Sequence, residues 1–248
     1  MRFMDVAMIN QIKDNLALVK NNIAKAAQAS GRSSEDIRLV LVTKTIAAEN
    51  VKIAIEAGEY LFGENKVQEG LQKANELKDE SIKWAMIGHL QTNKVKDALC
   101  FANEIQSLDR LSLAIALEKR LQSQGRGLDV LVQVNTSNEV SKYGIQPNET
   151  LKFLKELTAF DALRVKGFMT LATFTSDESE VRRCFRLLRQ LQEQALNEAP
   201  QADALQELSM GMSGDYEWAI QEGATTVRIG QAVFGKRAQP DSYYWPGI

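Results

Sequence analysis

The chain has 248 residues, 44% of them hydrophobic and 25% charged, with a formal net charge of −2. That is enough apolar material for one large domain or two small ones, and the near-neutral charge gives no footprint for nucleic acid or an acidic membrane. A single histidine, His89, and two distant cysteines, Cys100 and Cys184, exclude an all-histidine metal site, a C-x-x-C motif and any mechanism that needs two histidines.

The N-terminal residues Met1 to Val6 lack the apolar core of a signal peptide. No apolar run is long enough to span a bilayer, and the sparse cysteines fit a reducing cytoplasm. The first predicted element is a helix within residues 1–33, with an apolar stripe at Ile9, Ile12, Leu16, Val19, Ile23 and Ala26. Its expected role is packing across the barrel that the later elements predict, or across the bottom of that barrel. A dimer contact is the alternative to the expected monomer.

A β-branched run at 37–43 then predicts a strand that delivers Lys44 at its carboxyl end. Burial there disfavours the ammonium, and a neutral lysine amine is a nucleophile toward aldehydes. Further strands are predicted at 59–64, 83–88, 104–108, 128–134, 164–169, 207–212 and 225–230. Several are near-continuous apolar runs, as in a parallel sheet buried on both faces. Helical stripes fall between them. One is Leu111, Ala114, Ile115 and Leu121. Another is Val181, Cys184, Phe185, Leu188 and Leu191, with Ser176-Asp177 as N-cap.

Eight strands alternating with helices predict an α/β fold, a single (β/α)8 TIM barrel over 37–235 with an extra N-terminal helix. A doubly wound open sheet is the runner-up, weakened because no G-x-G-x-x-G follows the first strand. The tail 236–248, with Tyr243, Tyr244 and Trp245, is expected to be irregular.

In a barrel the chemistry gathers where strands run out into the following loops. Read that way, the strand ends carry Lys44, Asn65, His89, Met169, Ser209, Ser213, Arg228, Gly230 and Gln231. Ser213-Gly214 after the seventh strand and Gly230-Gln231 after the eighth read as a phosphate cradle. Glycine admits close backbone approach, and helix starts present N–H donors. Arg228, on an otherwise apolar strand, needs a carboxylate or a ligand acceptor. Buried lysine, buried arginine and phosphate cradle together suggest pyridoxal 5′-phosphate (PLP), which offers an aldehyde, a phosphate and a ring nitrogen.

Six stretches carry a specific resemblance: Leu41-Val42-Thr43-Lys44, Phe62-Gly63-Glu64-Asn65, Gly88-His89-Leu90-Gln91-Thr92-Asn93-Lys94, Val140-Ser141-Lys142-Tyr143-Gly144, Leu208-Ser209-Met210-Gly211-Met212-Ser213 and Val227-Arg228-Ile229-Gly230. In these the chain resembles the YggS/PROSC family, the pyridoxal phosphate homeostasis proteins. The resemblance implies a barrel like the alanine racemase N-terminal domain (PLP fold type III) with the cofactor held as an internal aldimine. It implies Lys44 as the covalent lysine, and Ser213, Gly230 and Gln231 at the phosphate, the last two through backbone N–H groups. It sets Arg228 against the pyridine nitrogen, with Asn65, His89, Met169 and Ser209 lining the cofactor or its loops. Gln231 and Gly214 depart from the small hydroxyl and the acidic residue usual there, although Asp215 follows.

Arginine is a permanent cation and donor, so it leaves the ring nitrogen as an acceptor and makes the cofactor a weak electron sink. Alanine racemases, to which this barrel is related, draw a second base from a further β-domain and a partner subunit. The chain ends soon after its eighth strand, so the expectation is a non-catalytic carrier in vitamin B6 homeostasis that affects amino-acid and keto-acid pools. Its expected partners are PLP and PLP-dependent apo-enzymes, with no nucleic acid, membrane or metal. An amino-acid racemase using His89 or Tyr143 is the alternative. An aldolase-type Schiff-base barrel is a third reading, and Lys142 is a candidate second landing site read more simply as a surface residue.

Overall fold

The apolar runs pair in chain order. The structure is a computed structural model and describes residues 6–199 and 202–235. Its strands are β1 (Arg38–Val42), β2 (Leu61–Glu64), β3 (Lys83–Met86), β4 (Glu104–Leu108), β5 (Leu128–Gln133), β6 (Leu163–Met169), β7 (Glu207–Ser209) and β8 (Thr226–Ile229). Each pairs in parallel with the next, and β8 pairs with β1 to close the barrel. The helices are α1 (Val6–Ala29), α2 (Ala48–Glu56), α3 (Val67–Glu76), α4 (Val95–Ala98), α5 (Leu111–Ser123), α6 (Thr150–Leu157), α7 (Glu178–Glu198), α8 (Tyr216–Gln221) and α9 (Gln231–Phe234). The predicted tail 236–248 lies outside the described residues.

Side chains alternate across each strand, so one set faces the helices and the other the bore. The outward set, including Leu41, Phe62, Met86, Ile105, Val130 and Val227, joins the helices in one large core. A fully buried Phe such as Phe62 contributes about 1.5–3 kcal/mol to that layer. The apolar part of the bore is small: Val40, Leu61 and Ala85, with Ile87 packed against them. The rest of the bore is polar. At its N-terminal end Arg38 bridges Glu104 at 2.6 Å and Glu207 at 2.5 Å. Burial raises the Glu207 pKa, and Arg38 opposes that rise.

Of the two places expected for α1, across the barrel or across its bottom, it takes the first. It packs on the flank against α2, α8 and α9. There Asn15 donates to the Val233 carbonyl at 3.0 Å and Asn22 to the Tyr216 hydroxyl at 3.2 Å. α9 is a single turn, and the apolar stripe of α1 is buried beside it, α8 and α2. Its stripe is buried at Ile12, Leu16, Val19, Ile23 and Ala26, as the periodicity requires. In α5 the buried face is instead Leu113, Ala114, Leu117 and Leu121. Ile115 is 56% exposed, because the inward face runs through Leu113, Leu117 and Leu121 and leaves Ile115 to one side. Asp177 caps α7, accepting from Ser179 N at 2.9 Å.

Candidate active-face site

Lys44 follows β1 after a single residue, Thr43, and is half-buried. The register of β1 on β2 pairs Val42 with Gly63, so Lys44 and Asn65 stand two residues beyond that pair, at the same level. Gly88 lets the next loop approach: a Cβ there would lie 2.2 Å from the Asn65 carbonyl oxygen, so only glycine fits.

Across the mouth, the Ser213 hydroxyl accepts from Gly230 N at 3.3 Å and Ala232 N at 3.1 Å. These are backbone donors at the start of α9, the type of group that receives a phosphate. A Cβ on Gly230 would meet the Val42 carbonyl oxygen at 2.8 Å, so this cradle abuts the strand that carries Lys44. Gln231, the first residue of α9, is exposed. Asp215 ties the loop together by accepting from Met212 N at 2.6 Å. Burial raises its pKa, opposed by that bond and by the charges of Arg228 and Lys142.

Arg228 is 3% exposed and faces the bore. It donates to the Ser209 hydroxyl at 2.6 Å and to the Thr170 carbonyl at 2.7 Å. The Ser209 hydroxyl in turn donates to Gln106 Oε1 at 2.6 Å, and Gln106 Nε2 donates to Glu104 Oε1 at 2.6 Å. With Arg38 on the other oxygen of Glu104, a polar column runs from the floor of the barrel to Arg228. Burial pushes the Arg228 pKa down to about 10, partly offset by Asp215. A guanidinium so desolvated gains from any acceptor brought to its open side. Met169 is fully buried beside Ser209, its partner in the β6–β7 register.

His89 is held by Asp109, Nδ1 to Oδ2 3.2 Å. Tyr143 stacks on its ring with centroids 3.7 Å apart and planes 15° off parallel. The loop bearing Tyr143 is shaped by Asn135, which donates to the Glu139 carbonyl at 2.9 Å, and by Gln133, which donates to the Tyr143 carbonyl at 3.1 Å. Lys142 is engaged by Glu139 Oε1 and the Ala172 carbonyl, both at 2.8 Å.

All nine sequence-derived residues therefore stand at the C-terminal mouth or on the bore just below it. Contacts join Ser209 to Arg228 and Ser213 to Gly230. Sequence reasoning missed Gln106, Asp109 and Asn135. The strand-end rule applied to β4 and β5 finds Asp109 and Asn135, and the polar alternation Glu104, Gln106 in an otherwise buried strand marks the column. Among the described residues there is no cluster of His, Cys, Asp and Glu that could hold a metal, and no helix long and apolar enough to cross a membrane.

Residues 15–238 match the alanine racemase N-terminal domain family. A pyridoxal phosphate homeostasis protein of Aquifex aeolicus is 41% identical over 225 residues, covering 90% of this chain and 97% of that protein. The crystal structure of a protein from Bifidobacterium adolescentis superposes with a TM-score of 0.89 at 34% identity, covering 94% of this chain and 98% of that one. PipY of Synechococcus elongatus, solved with PLP bound, superposes with a TM-score of 0.80 at 30% identity, covering 91% of this chain and all of PipY.

Proposed function

The chain belongs to the alanine racemase N-terminal domain family and, within it, to the pyridoxal phosphate homeostasis proteins, and from that premise we propose that it is a PLP-holding protein of vitamin B6 homeostasis, with Lys44 as covalent anchor. When bound, PLP supplies an electrophilic aldehyde, a dianionic phosphate and a ring nitrogen. The residues present fit those three groups. Lys44 offers an amine at the end of β1. Gly230 N and Ala232 N, now received by Ser213 Oγ, offer donors to an anion. Gln231 N adjoins them. Arg228 offers a buried guanidinium for an acceptor nitrogen. Asn65, His89, Met169 and Ser209 complete the walls, with Ser209 acting by holding Arg228.

The observation that carries the reading is the buried Arg228. A group that stays a donor leaves the ring nitrogen unprotonated, which suits storage of an aldehyde better than stabilisation of a carbanion. The protein would thus hold the cofactor and release it to other amines, such as PLP-dependent apo-enzymes, in the cytoplasm and as a monomer. A racemase reading rests on His89, oriented by Asp109 and stacked on Tyr143, as a base at the mouth.

The test is a PLP titration followed by visible absorbance, with wild type beside Lys44→Ala, and an assay for inversion of an enantiopure amino acid. A visible band in wild type that Lys44→Ala lacks, without inversion, is expected. Inversion abolished by both Lys44→Ala and His89→Phe would select the racemase. Absence of a band in wild type at saturating PLP would refute the proposal.

A further inference from the structure

Behind the barrel wall, on the side facing α3, lies a buried charge cluster that the site does not use. Lys73, on α3, has a side chain 7% exposed and lies 2.7 Å from Glu64 Oε1 and 2.7 Å from Glu69 Oε1. Glu64, at the end of β2, is fully buried and also accepts from the Thr43 hydroxyl at 2.6 Å. Burial raises its pKa against the pull of Lys73. Two contacts leave the cluster for the backbone. Lys73 Nζ donates to the Thr43 carbonyl, and Glu69 Oε1 accepts the Thr45 N–H. Thr43 and Thr45 are the two neighbours of Lys44. Thr45 is also held at φ 66°, a left-handed conformation that a β-branched residue rarely adopts.

The geometry points to a latch: Lys73 and Glu69 grip the peptide groups on either side of Lys44 and fix the direction in which its side chain enters the bore. Both are positioning residues, since they face the helix layer and act through Thr43 and Thr45. The inference rests on Lys44 being the PLP anchor and adds the device that orients it. Thr43 N donating to the Gly63 carbonyl at 3.0 Å and Ile46 N donating to the Thr43 carbonyl at 2.9 Å hold the turn, and the latch refines its aim, which matters because reactive groups lose rate steeply with small misplacements. Glu64, left without Lys73, would be an unpaired buried charge, so a Lys73 variant would damage the whole fold. Glu69, 25% exposed, is the better probe.

The experiment compares wild type, Glu69→Ala and Glu69→Gln. Each is incubated with sub-saturating PLP, reduced with borohydride, and scored for adduct on Lys44 by peptide mass. Amide exchange of Thr45 is measured in the unliganded proteins. Glu69→Ala is expected to lose about tenfold in trapped adduct, with fast Thr45 exchange and a melting temperature near that of wild type. Glu69→Gln keeps the oxygen that accepts Thr45 N–H and is expected to recover both readouts. Equal trapping in wild type and Glu69→Ala would overturn the latch. So would Glu69→Gln failing as Ala does, since an ion pair with Lys73 would then suffice. A wild type with no adduct on Lys44 would remove the anchor reading itself, and the positioning role with it.

Discussion

Replacing Ser209 by alanine breaks the polar column at its centre. Arg228 Nη1 loses its 2.6 Å acceptor, and Gln106 Oε1 loses its 2.6 Å donor. Ser209 and Gln106 are fully buried, so the groups that lose their partners are shielded from bulk solvent. A hydrogen bond to a charged group is worth about 1.5–3 kcal/mol, and an orphaned buried acceptor costs about 1–3 kcal/mol. Arg228 keeps the Thr170 carbonyl, which limits the sum to about 3–5 kcal/mol. For a chain of this size that lowers the melting temperature by roughly 10 °C. Gln106→Leu orphans the Ser209 hydroxyl and removes a donor from Glu104, at a cost of about 2–4 kcal/mol. The double variant no longer contains either end of the Ser209–Gln106 bond, so it should be less damaging than the sum by about 1–2 kcal/mol. Urea unfolding of the four unliganded proteins measures this coupling. Additivity within about 0.5 kcal/mol would show that the column is a set of independent contacts and not a coupled network.

Other consequences are as direct. Gly88→Ala forces a methyl onto the Asn65 carbonyl, and the backbone there cannot yield as a side chain could; a loss of at least about 3 kcal/mol and weakened PLP binding are expected from urea melts and absorbance titration, and near-wild-type values would contradict the close approach. Asp215 has a raised folded pKa, so between the ordinary aspartate value and that raised value the native state holds more protons than the unfolded chain. Wild-type stability should therefore fall relative to Asp215→Asn as pH rises through that window, and urea midpoints at acid and neutral pH check the sign. Arg228→Lys replaces a fork that holds Ser209 and the Thr170 carbonyl together with a single ammonium. It should weaken PLP binding and cost about 1.5–3 kcal/mol in urea unfolding.

Much of the architecture was readable from alternation and length. The run Leu128-Asp129-Val130-Leu131-Val132-Gln133 announced a strand buried on both faces, and β5 spans those residues. The strand-end rule set Lys44, Asn65, His89, Ser213 and Gly230 at one end of the barrel because a barrel sends its loops to one face; the hydrogen bond between Gly230 N and the Ser213 hydroxyl came only with the structure. What escaped needed three dimensions. Which helices α1 meets on the barrel, α2, α8 and α9, is a choice that apolar periodicity does not report. The column from Glu104 to Arg228 joins three strands, so no local pattern reveals that Gln106 and Ser209 meet. Lys73 reads as an ordinary helix lysine until α3 packs it against Glu64 and the Thr43 carbonyl.

If one lysine, Lys44, anchors the cofactor, peptide mass mapping of the wild-type protein after saturation with PLP and borohydride reduction will show one adduct, on the peptide containing Thr43-Lys44-Thr45. Adduct confined to another lysine such as Lys142, or none at all, would contradict it.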